Sequence, residues 1–393
     1  SNIFILKIIS SIKYIKMKSL IYHFSSIILI FILVASCKKE VSKKINNTGL
    51  HPKNTIKYAK GFDIVISKNE KKLIIKNPYS NTSNNFEYII KKGINDQLNV
   101  INTPIKKIVV TSTTHIPMLE LLGEEKALVG FQNTDYISST KTRNRIDAGF
   151  VKELGNEAAL NTESLLELKP DAVIGFTMDN YNKTFNLIEK HGIPVIINGD
   201  WREETPLGRA EWIKFFGVLF NKERLADSIF NTIEVDYLAA KRIAKENTKY
   251  PSILSGAIMR NDIWSLPAGE SFVSQFLLDA NVNYLWKDSK GKGSLQLSFE
   301  SVLDKAQHAE YWIAPGYFSS KAQLLENNPH YKNFTAFKNN SIFTASTKRG
   351  VTGGVVYYEL GPTRPDLILQ DIIKITNPEL LPNYTLTFFE QMK

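Results

Sequence analysis

The chain has 393 residues, of which 43% are hydrophobic and 22% charged, proportions that fit a folded globular protein rather than a disordered one. This length is enough for two lobes of ordinary domain size. The formal net charge is +10, but no basic block alternates with aromatic residues, so nucleic-acid binding has little support. A single cysteine leaves no internal disulfide, and the six histidines lack the spacing of a zinc site.

The first element is an apolar run that ends at the only cysteine. Lys18 precedes residues 19–36, whose centre at 27–34 carries no charge, and Cys37 follows directly. A positive start, a short apolar core and small residues at a cleavage point are typical of a secretory signal. The stretch Leu33-Val34-Ala35-Ser36-Cys37 resembles the lipobox of bacterial lipoproteins, in which the thiol is acylated and becomes the new N-terminus.

We therefore expect lipidation at Cys37. Residues 1–36 are assigned to upstream residues and a lipoprotein signal peptide, and residues 37–57 to a lipidated tether; the origin of residues 1–16, which precede Met17, stays open. The alternative is a transmembrane anchor, for which the run is marginal because a spanning helix needs about 20 apolar residues. The expected location is the cell envelope, in the periplasmic space or on the outer face of the cytoplasmic membrane, with the leaflet left open.

Residues 58–100 contain short apolar stretches separated by turns rich in Asn, Ser and Pro. Such stretches predict a small antiparallel β meander before the main fold. The sequence does not indicate what this meander does.

From residue 101 onward, strands alternate with helices. β-branched runs at 107–111, 127–131, 172–176 and 193–197 are separated by helical stretches, which predicts a parallel α/β sheet with right-handed crossovers. The second half repeats this order, and each half places Glu-Ser at a helix start before a buried strand, at Glu163 and at Glu300. We therefore predict an N-terminal α/β lobe at 101–220 and a similar C-terminal α/β lobe at 251–393.

Residues 222–247 carry apolar side chains at spacings of three and four. This pattern predicts an amphipathic helix of about 25 residues, longer than one lobe needs. We assign residues 221–250 to a helix that bridges the two lobes. The predicted fold class is α/β, with two lobes, one long bridging α-helix and a small N-terminal β meander.

Several stretches resemble one known family. Residues 103–131 and, most recognisably, residues 163–174 are similar to the metal-chelate substrate-binding proteins that serve ABC importers for siderophores, haem or cobalamin. The resemblance continues through 208–214, 271–280 and 364–369 and covers about residues 103–393. It implies two Rossmann-like lobes joined by one rigid helix, with the ligand in the cleft between them. The implied ligand is a metal chelate, first an iron–siderophore, with haem and cobalamin as alternatives.

The resemblance also implies a partner. In that family one glutamate on each lobe docks with arginines of the permease dimer, and the matching positions are Glu163 and Glu300. Carboxylates on separate lobes can register both halves of a two-subunit partner. The alternative is that each glutamate only stabilises the first turn of its helix through the macrodipole. The matched pair favours docking, and we expect a monomer that delivers its ligand to such a permease.

Loops at the carboxyl ends of the strands should line the cleft, as in other open α/β sheets. Aromatic faces and arginine forks suit large, conjugated, partly anionic chelates. The predicted ligand-binding residues are Thr113, Thr114, Trp201, Arg202, Trp264, Tyr317, Arg349 and Tyr358. Ordinary core packing is an equal alternative for Trp264 and Tyr358. If the ligand is haem, its axial ligand could come from Tyr317, Tyr357, Tyr358 or His115.

Two other functions compete with transport. A hydrolase or redox enzyme is disfavoured because the sequence has no Gly-x-Ser-x-Gly elbow, no P-loop and no Gly-x-Gly-x-x-Gly motif. The other alternative is a surface lipoprotein that binds a polymer or a protein partner through the 58–100 meander. We expect no enzymatic activity, no catalytic residue, no bound metal of its own and no cofactor.

Overall fold

The computed structural model describes residues 56–67, 70–79, 84–93, 97–156, 159–177, 182–260 and 262–393. The predicted signal segment, Cys37 and nearly all of the predicted tether lie outside these residues. Everything described belongs to one unit, residues 51–393. No helix within the described ranges is long and apolar enough to cross a membrane.

The N-terminal sheet confirms the predicted meander and adds one strand to it. Alternating apolar residues bury one face of each strand, as Phe62 and Ile64 do in the first. The first three strands pair antiparallel, and the fourth, which the sequence did not indicate, pairs parallel with the third. The strands are β1 (Phe62–Ile66), β2 (Lys71–Lys76), β3 (Asn85–Lys92) and β4 (Val100–Thr103).

A carboxylate strap fixes the chain where it enters this sheet. Glu211, which is fully buried, accepts hydrogen bonds from the backbone N–H groups of Lys57, Tyr58 and Ala59 at 2.7–3.0 Å. Glu203 accepts those of the next two residues, 60 and 61, at 2.8–3.0 Å. We call residues 57–61 the strap. Five successive backbone donors are thereby satisfied by two side chains of the N-terminal lobe.

The N-terminal lobe is built on a five-stranded parallel sheet in the order β11-β10-β5-β6-β7. Its central strand, β5 (Ile108–Val110), has no exposed surface, because helices cover both faces of a parallel sheet. The other strands of the lobe are β6 (Leu128–Phe131), β7 (Lys152–Glu153), β8 (Gly155–Asn156), β9 (Ala159–Leu160), β10 (Ala172–Gly175) and β11 (Val195–Ile197). The helices are α1 (His115–Leu121), α2 (Thr140–Asp147), α3 (Thr162–Leu168) and α4 (Lys183–Lys190).

The helix predicted to bridge the lobes is present. It is α7 (Glu223–Ala244), with 22 residues and a length of about 33 Å. Its buried residues, among them Phe230, Ile233 and Tyr237, recur at spacings of three and four. Two shorter helices lead into it, α5 (Pro206–Ala210) and α6 (Ile213–Leu219).

The C-terminal lobe has a second parallel core in the order β15-β12-β17-β18, with one antiparallel edge strand, β19. Its strands are β12 (Ser252–Ser255), β13 (Ala257–Arg260), β14 (Ile263–Pro267), β15 (Asn283–Tyr284), β16 (Ser294–Ser298), β17 (Tyr311–Ile313), β18 (Ile342–Thr344) and β19 (Glu390–Gln391). The helices are α8 (Phe272–Asp279), α9 (Phe299–Ala306), α10 (Lys321–Asn327), α11 (Thr335–Lys338), α12 (Val356–Leu360) and α13 (Pro365–Thr376).

The two lobes share one topology. Numbered within each lobe, the first to fourth parallel strands are β5, β6, β10 and β11 in the first lobe and β12, β15, β17 and β18 in the second. Both sets lie side by side in the order second, first, third, fourth. This confirms the predicted fold class of two similar α/β lobes with a bridging helix, and the faint Glu-Ser repeat marks the helix before the third strand in each lobe.

The stretch 252–260 forms two strands rather than one, because the chain turns at Gly256, whose φ is +75°. A Cβ atom at Gly256 would lie 1.9 Å from the carbonyl oxygen of Ser265, so only glycine fits this crossing. Beyond the turn, β13 leaves the parallel sheet and pairs antiparallel with β14, which in turn pairs with β16.

Candidate ligand-binding cleft

Two adjoining cavities lie between the lobes. The outer cavity has a volume of about 410 Å³ and the inner one about 330 Å³, and both are lined by Ser112, Phe176 and Tyr358. These volumes are typical of small-molecule sites. Two larger hollows, of about 470 and 670 Å³, lie at the start of α7 and beside β19, away from the strand ends that meet at the cleft.

The loops that follow parallel strands supply much of this lining, as expected for α/β sheets. In the N-terminal lobe, Ser112 follows β5, Phe176 follows β10 and Trp201 follows β11. In the C-terminal lobe, Tyr317 follows β17 and Arg349 follows β18. The cleft is therefore formed by matching ends of the two sheets.

The structure brings six of the eight predicted ligand-binding residues to these cavities. Thr113, Tyr317 and Arg349 line the outer cavity, Thr114 and Trp201 line the inner one, and Tyr358 lines both.

The outer cavity is an aromatic pocket with one cation. The rings of Tyr317 and Tyr358 lie 5.8 Å apart at 51°, and both side chains are well exposed. Arg349 donates hydrogen bonds from Nε to the carbonyl of Ser346 at 2.7 Å and from Nη1 to that of Gly353 at 3.0 Å. These bonds hold the guanidinium in place beside the phenol rings, so the pocket presents flat faces and a fixed positive charge.

The inner cavity contains two charged groups of opposite sign. Asp200 begins a short 3-10 helix, Asp200–Arg202, and is only 3% exposed. The Thr114 hydroxyl donates to its Oδ2 at 3.0 Å. Arg209 on α5 is half-buried, and its guanidinium carbon lies 3.7 Å from the ring centroid of Phe272. Burial lowers the pKa of Arg209, and the nearby Asp200 opposes that shift.

Two predicted residues lie elsewhere, which corrects their expected placement. Arg202 is exposed and donates to the backbone carbonyls of Asn77 and Tyr79 in the N-terminal sheet. Trp264 is fully buried because it belongs to β14, whose alternation points it inward together with Leu266. Its ring stacks on Trp312 at 5.3 Å, so its role is core packing, the alternative that the sequence left open.

Sequence reasoning overlooked several residues of the cleft. Phe176 directly follows β10, so the rule that loops after parallel strands line the cleft could have found it. Its ring contacts that of Trp201 edge-on at 6.2 Å. Arg209 lies within the stretch that resembles the known family, but it is on a helix, where the rule for loops after strands does not apply. Tyr357, which the sequence suggested only as a possible axial ligand to haem, lines the inner cavity, and burial raises its pKa to about 12.

His115 is not placed to be an axial ligand to haem. Its side chain is fully buried against Phe216, with the rings 5.3 Å apart, and it lines neither cavity. Burial lowers its pKa to about 4, which keeps the imidazole neutral near pH 7. Across the described ranges, no group of three or more His, Cys, Asp or Glu side chains could hold a metal ion.

A hydrogen-bonded latch joins the lobes beside the outer cavity. Glu359 of the C-terminal lobe accepts the backbone N–H groups of Ser138 at 2.7 Å and Ser139 at 2.9 Å in the N-terminal lobe. Burial raises the pKa of Glu359 from 4.5 to about 7, and the nearby Glu120 adds to the increase. Gly354 packs so closely that a Cβ atom there would lie 2.1 Å from the carbonyl oxygen of Tyr136.

Glu163 and Glu300 occupy equivalent positions in the two lobes. Each is the second residue of its helix, and each helix has a polar N-cap, since Asn161 accepts from the Ser164 N–H and Ser298 from the Ser301 N–H. Both glutamate side chains are exposed. Among the residues that the structure describes, neither has an ion-pair partner.

Several known proteins are similar to this chain in sequence or in fold. An uncharacterized lipoprotein of Methanocaldococcus jannaschii is 24% identical over 92% of this chain and 94% of its own length. A possible iron-binding periplasmic protein of Staphylococcus epidermidis has a TM-score of 0.55 at 17% identity, covering 70% of this chain and 100% of its own. A periplasmic haem-binding protein of Pseudomonas aeruginosa also has a TM-score of 0.55, at 15% identity, covering 74% and 98%.

The family model of periplasmic binding proteins matches residues 108–348, which is more than half of the chain. This span includes parts of both lobes, the bridging helix and the cleft loops as far as residue 348, while Arg349 and Tyr358 lie just beyond it. Members of the family bind solutes and are not enzymes, which confirms the expectation drawn from the missing catalytic motifs. The chain belongs to the periplasmic binding protein family.

Proposed function

We propose that this protein captures a metal chelate in the cleft between its lobes and delivers it to an ABC permease. An iron–siderophore is the first candidate, and haem or cobalamin are the alternatives. The observation that carries the proposal is the outer cavity, in which Tyr317 and Tyr358 present flat faces beside Arg349. Aromatic faces and a guanidinium fork suit a large conjugated ligand with negative charge. The relatives named for iron and haem binding support the same class.

Delivery is proposed to use Glu163 and Glu300. Both carboxylates are exposed at the same position of equivalent helices, so they can contact two copies of one basic surface on a dimeric permease. The protein itself acts as a monomer in this scheme.

Attachment to the membrane is proposed to occur through a lipid on Cys37. Family membership and a relative described as a lipoprotein support a place in the cell envelope. An acyl anchor would keep the receptor near its permease and raise its effective concentration there. Mass spectrometry of the protein purified from its native membrane tests this directly, since an acylated Cys37 must be the N-terminal residue.

Spectroscopic titration tests the ligand. The full chain would be titrated with ferric siderophores of the hydroxamate and catecholate classes, with haemin and with cobalamin. We expect micromolar or tighter binding of one class, weakened at least about tenfold by Tyr358→Ala through the loss of an aromatic contact. Tyr250→Ala is the matched control, because Tyr250 is 56% exposed and lines neither cavity. Absence of binding by every chelate would reject the proposal.

A further inference from the structure

The inner cavity poses a separate question about the ligand. It opens beside the aromatic outer cavity, and Phe176 and Tyr358 line both. A bound molecule can therefore lie against the aromatic faces and also extend an arm inward. The lining of the inner cavity indicates what that arm carries.

Asp200 supplies an acceptor with spare capacity. The side chain is 3% exposed, and within the described ranges the Thr114 hydroxyl is its hydrogen-bond donor, at 3.0 Å to Oδ2. A buried carboxylate that accepts one hydroxyl hydrogen bond has lost most of the hydrogen bonds that water would give it. A ligand group that donates a hydrogen bond to Asp200 would replace one of them.

Arg209 supplies donors that face the same cavity. Its Nε donates to the carbonyl of Glu203 at 3.3 Å and its Nη2 to that of Trp201 at 2.9 Å, while Phe272 lies under the guanidinium plane. These contacts fix the fork and use only some of its five N–H groups. Within the described part of the chain Arg209 forms no ion pair of 4.0 Å or less, although Asp200 and Glu203 lie near enough to favour its charged form, and its unused N–H groups remain for a ligand acceptor.

Asp200 and Arg209 thus line one cavity of about 330 Å³ without forming an ion pair with each other. A buried carboxylate and a half-buried guanidinium that do not pair directly favour a ligand group that carries both complements. From these contacts we infer that the inner cavity binds a ligand arm that bears a free carboxylate next to a hydroxyl, with the carboxylate on Arg209 and the hydroxyl donating to Asp200. Resting on the proposed function, this assigns the chelate to those that carry such an arm outside their metal-binding groups, since a hydroxyl that coordinates the metal could not donate to Asp200.

A pair of small acids tests this arm apart from the chelate. Citrate and tricarballylate have the same three carboxylates, and only citrate has the hydroxyl. We expect citrate at millimolar concentrations to raise the melting temperature of the full chain more than tricarballylate does. Asp200→Asn should narrow that difference. Arg209→Gln should raise at least tenfold the concentration of either acid that is needed for the same rise in melting temperature. The melting temperature without ligand shows whether each variant is folded.

Equal stabilisation by the two acids, or none by either, would overturn the inference. A ferric trihydroxamate without carboxylates then separates it from the proposed function. If the trihydroxamate binds and citrate stabilises the chain no more than tricarballylate does, the cleft binds chelates but the assigned arm is wrong. If citrate stabilises the chain more than tricarballylate and Asp200→Asn narrows that difference, the arm is supported.

Discussion

The latch at Glu359 makes a quantitative prediction about stability and pH. The carboxylate is 2% exposed and lies between the lobes, and burial raises its pKa from 4.5 to about 7. The folded state therefore holds the proton more tightly than the unfolded state. The stabilising contribution of this group is fully present below pH 4.5 and is lost as the pH rises through about 7.

The magnitude follows from the two pKa values. Between about pH 5 and about pH 8 the contribution should fall by about 2.5 kcal/mol. Glu359→Gln removes the titrating group while keeping its shape. The free energy of unfolding of the wild type relative to that of the variant should therefore drop by this amount across that range, as measured by guanidinium chloride denaturation at each pH.

Other groups also titrate in this range, so the comparison needs a control. Glu167→Gln changes an exposed carboxylate on α3 and should leave the pH profile of the wild type unchanged. Parallel profiles for the wild type and Glu359→Gln would refute the reasoning. A profile in which the wild type gains stability relative to the variant as the pH rises would do so as well, because it reverses the sign.

Three further predictions concern docking, core and strap. Reversing both charges with Glu163→Lys and Glu300→Lys should abolish uptake in a reconstituted permease assay and leave chelate affinity unchanged; undiminished transport would contradict the docking role. Trp264→Ala should lower the free energy of unfolding by about 4 kcal/mol, because removal of a fully buried indole leaves a cavity. A loss of chelate affinity in the folded variant would contradict a role in core packing alone. Glu211→Gln should cost about 3 kcal/mol, since a carboxylate that accepts several backbone donors and pairs with Lys214 at 2.9 Å is removed; Glu167→Gln in the same denaturation assay should cost almost nothing, and equal effects would show that the strap adds no stability.

The fold could be predicted because its signals are local and periodic. Buried β-branched runs such as 108–110 and the apolar spacing of 223–244 depend on neighbouring residues alone. The turn at Gly256 could not be predicted, because the reason for that glycine is the carbonyl oxygen of Ser265, which approaches from another strand. Because β13 leaves the parallel sheet and pairs with β14, Trp264 lies on a strand that faces the core and not in a cleft loop.

Only some of the residues that line the cleft could be predicted, because only some of them follow a local sequence pattern. Loops after parallel strands are recognisable in sequence, and this rule found residues such as Thr113, Tyr317 and Arg349. Arg209 lies on a helix, and it reaches the cavity only because α5 packs beside α8 and Phe272. Arg202 follows a strand as the rule requires, yet it turns to the carbonyls of the N-terminal sheet, a partner that no local pattern reveals.

The strap has a practical consequence for producing the protein without the proposed lipid anchor. Two buried carboxylates depend on the backbone N–H groups of residues 57–61, and Glu203 also accepts from the Trp212 indole at 3.0 Å. A version that starts after residue 61 would remove five backbone donors from Glu211 and Glu203, which would keep only Lys214 and the Trp212 indole as partners. Soluble versions should therefore begin upstream of Lys57, so that residues 57–61 keep their contacts with the lobe.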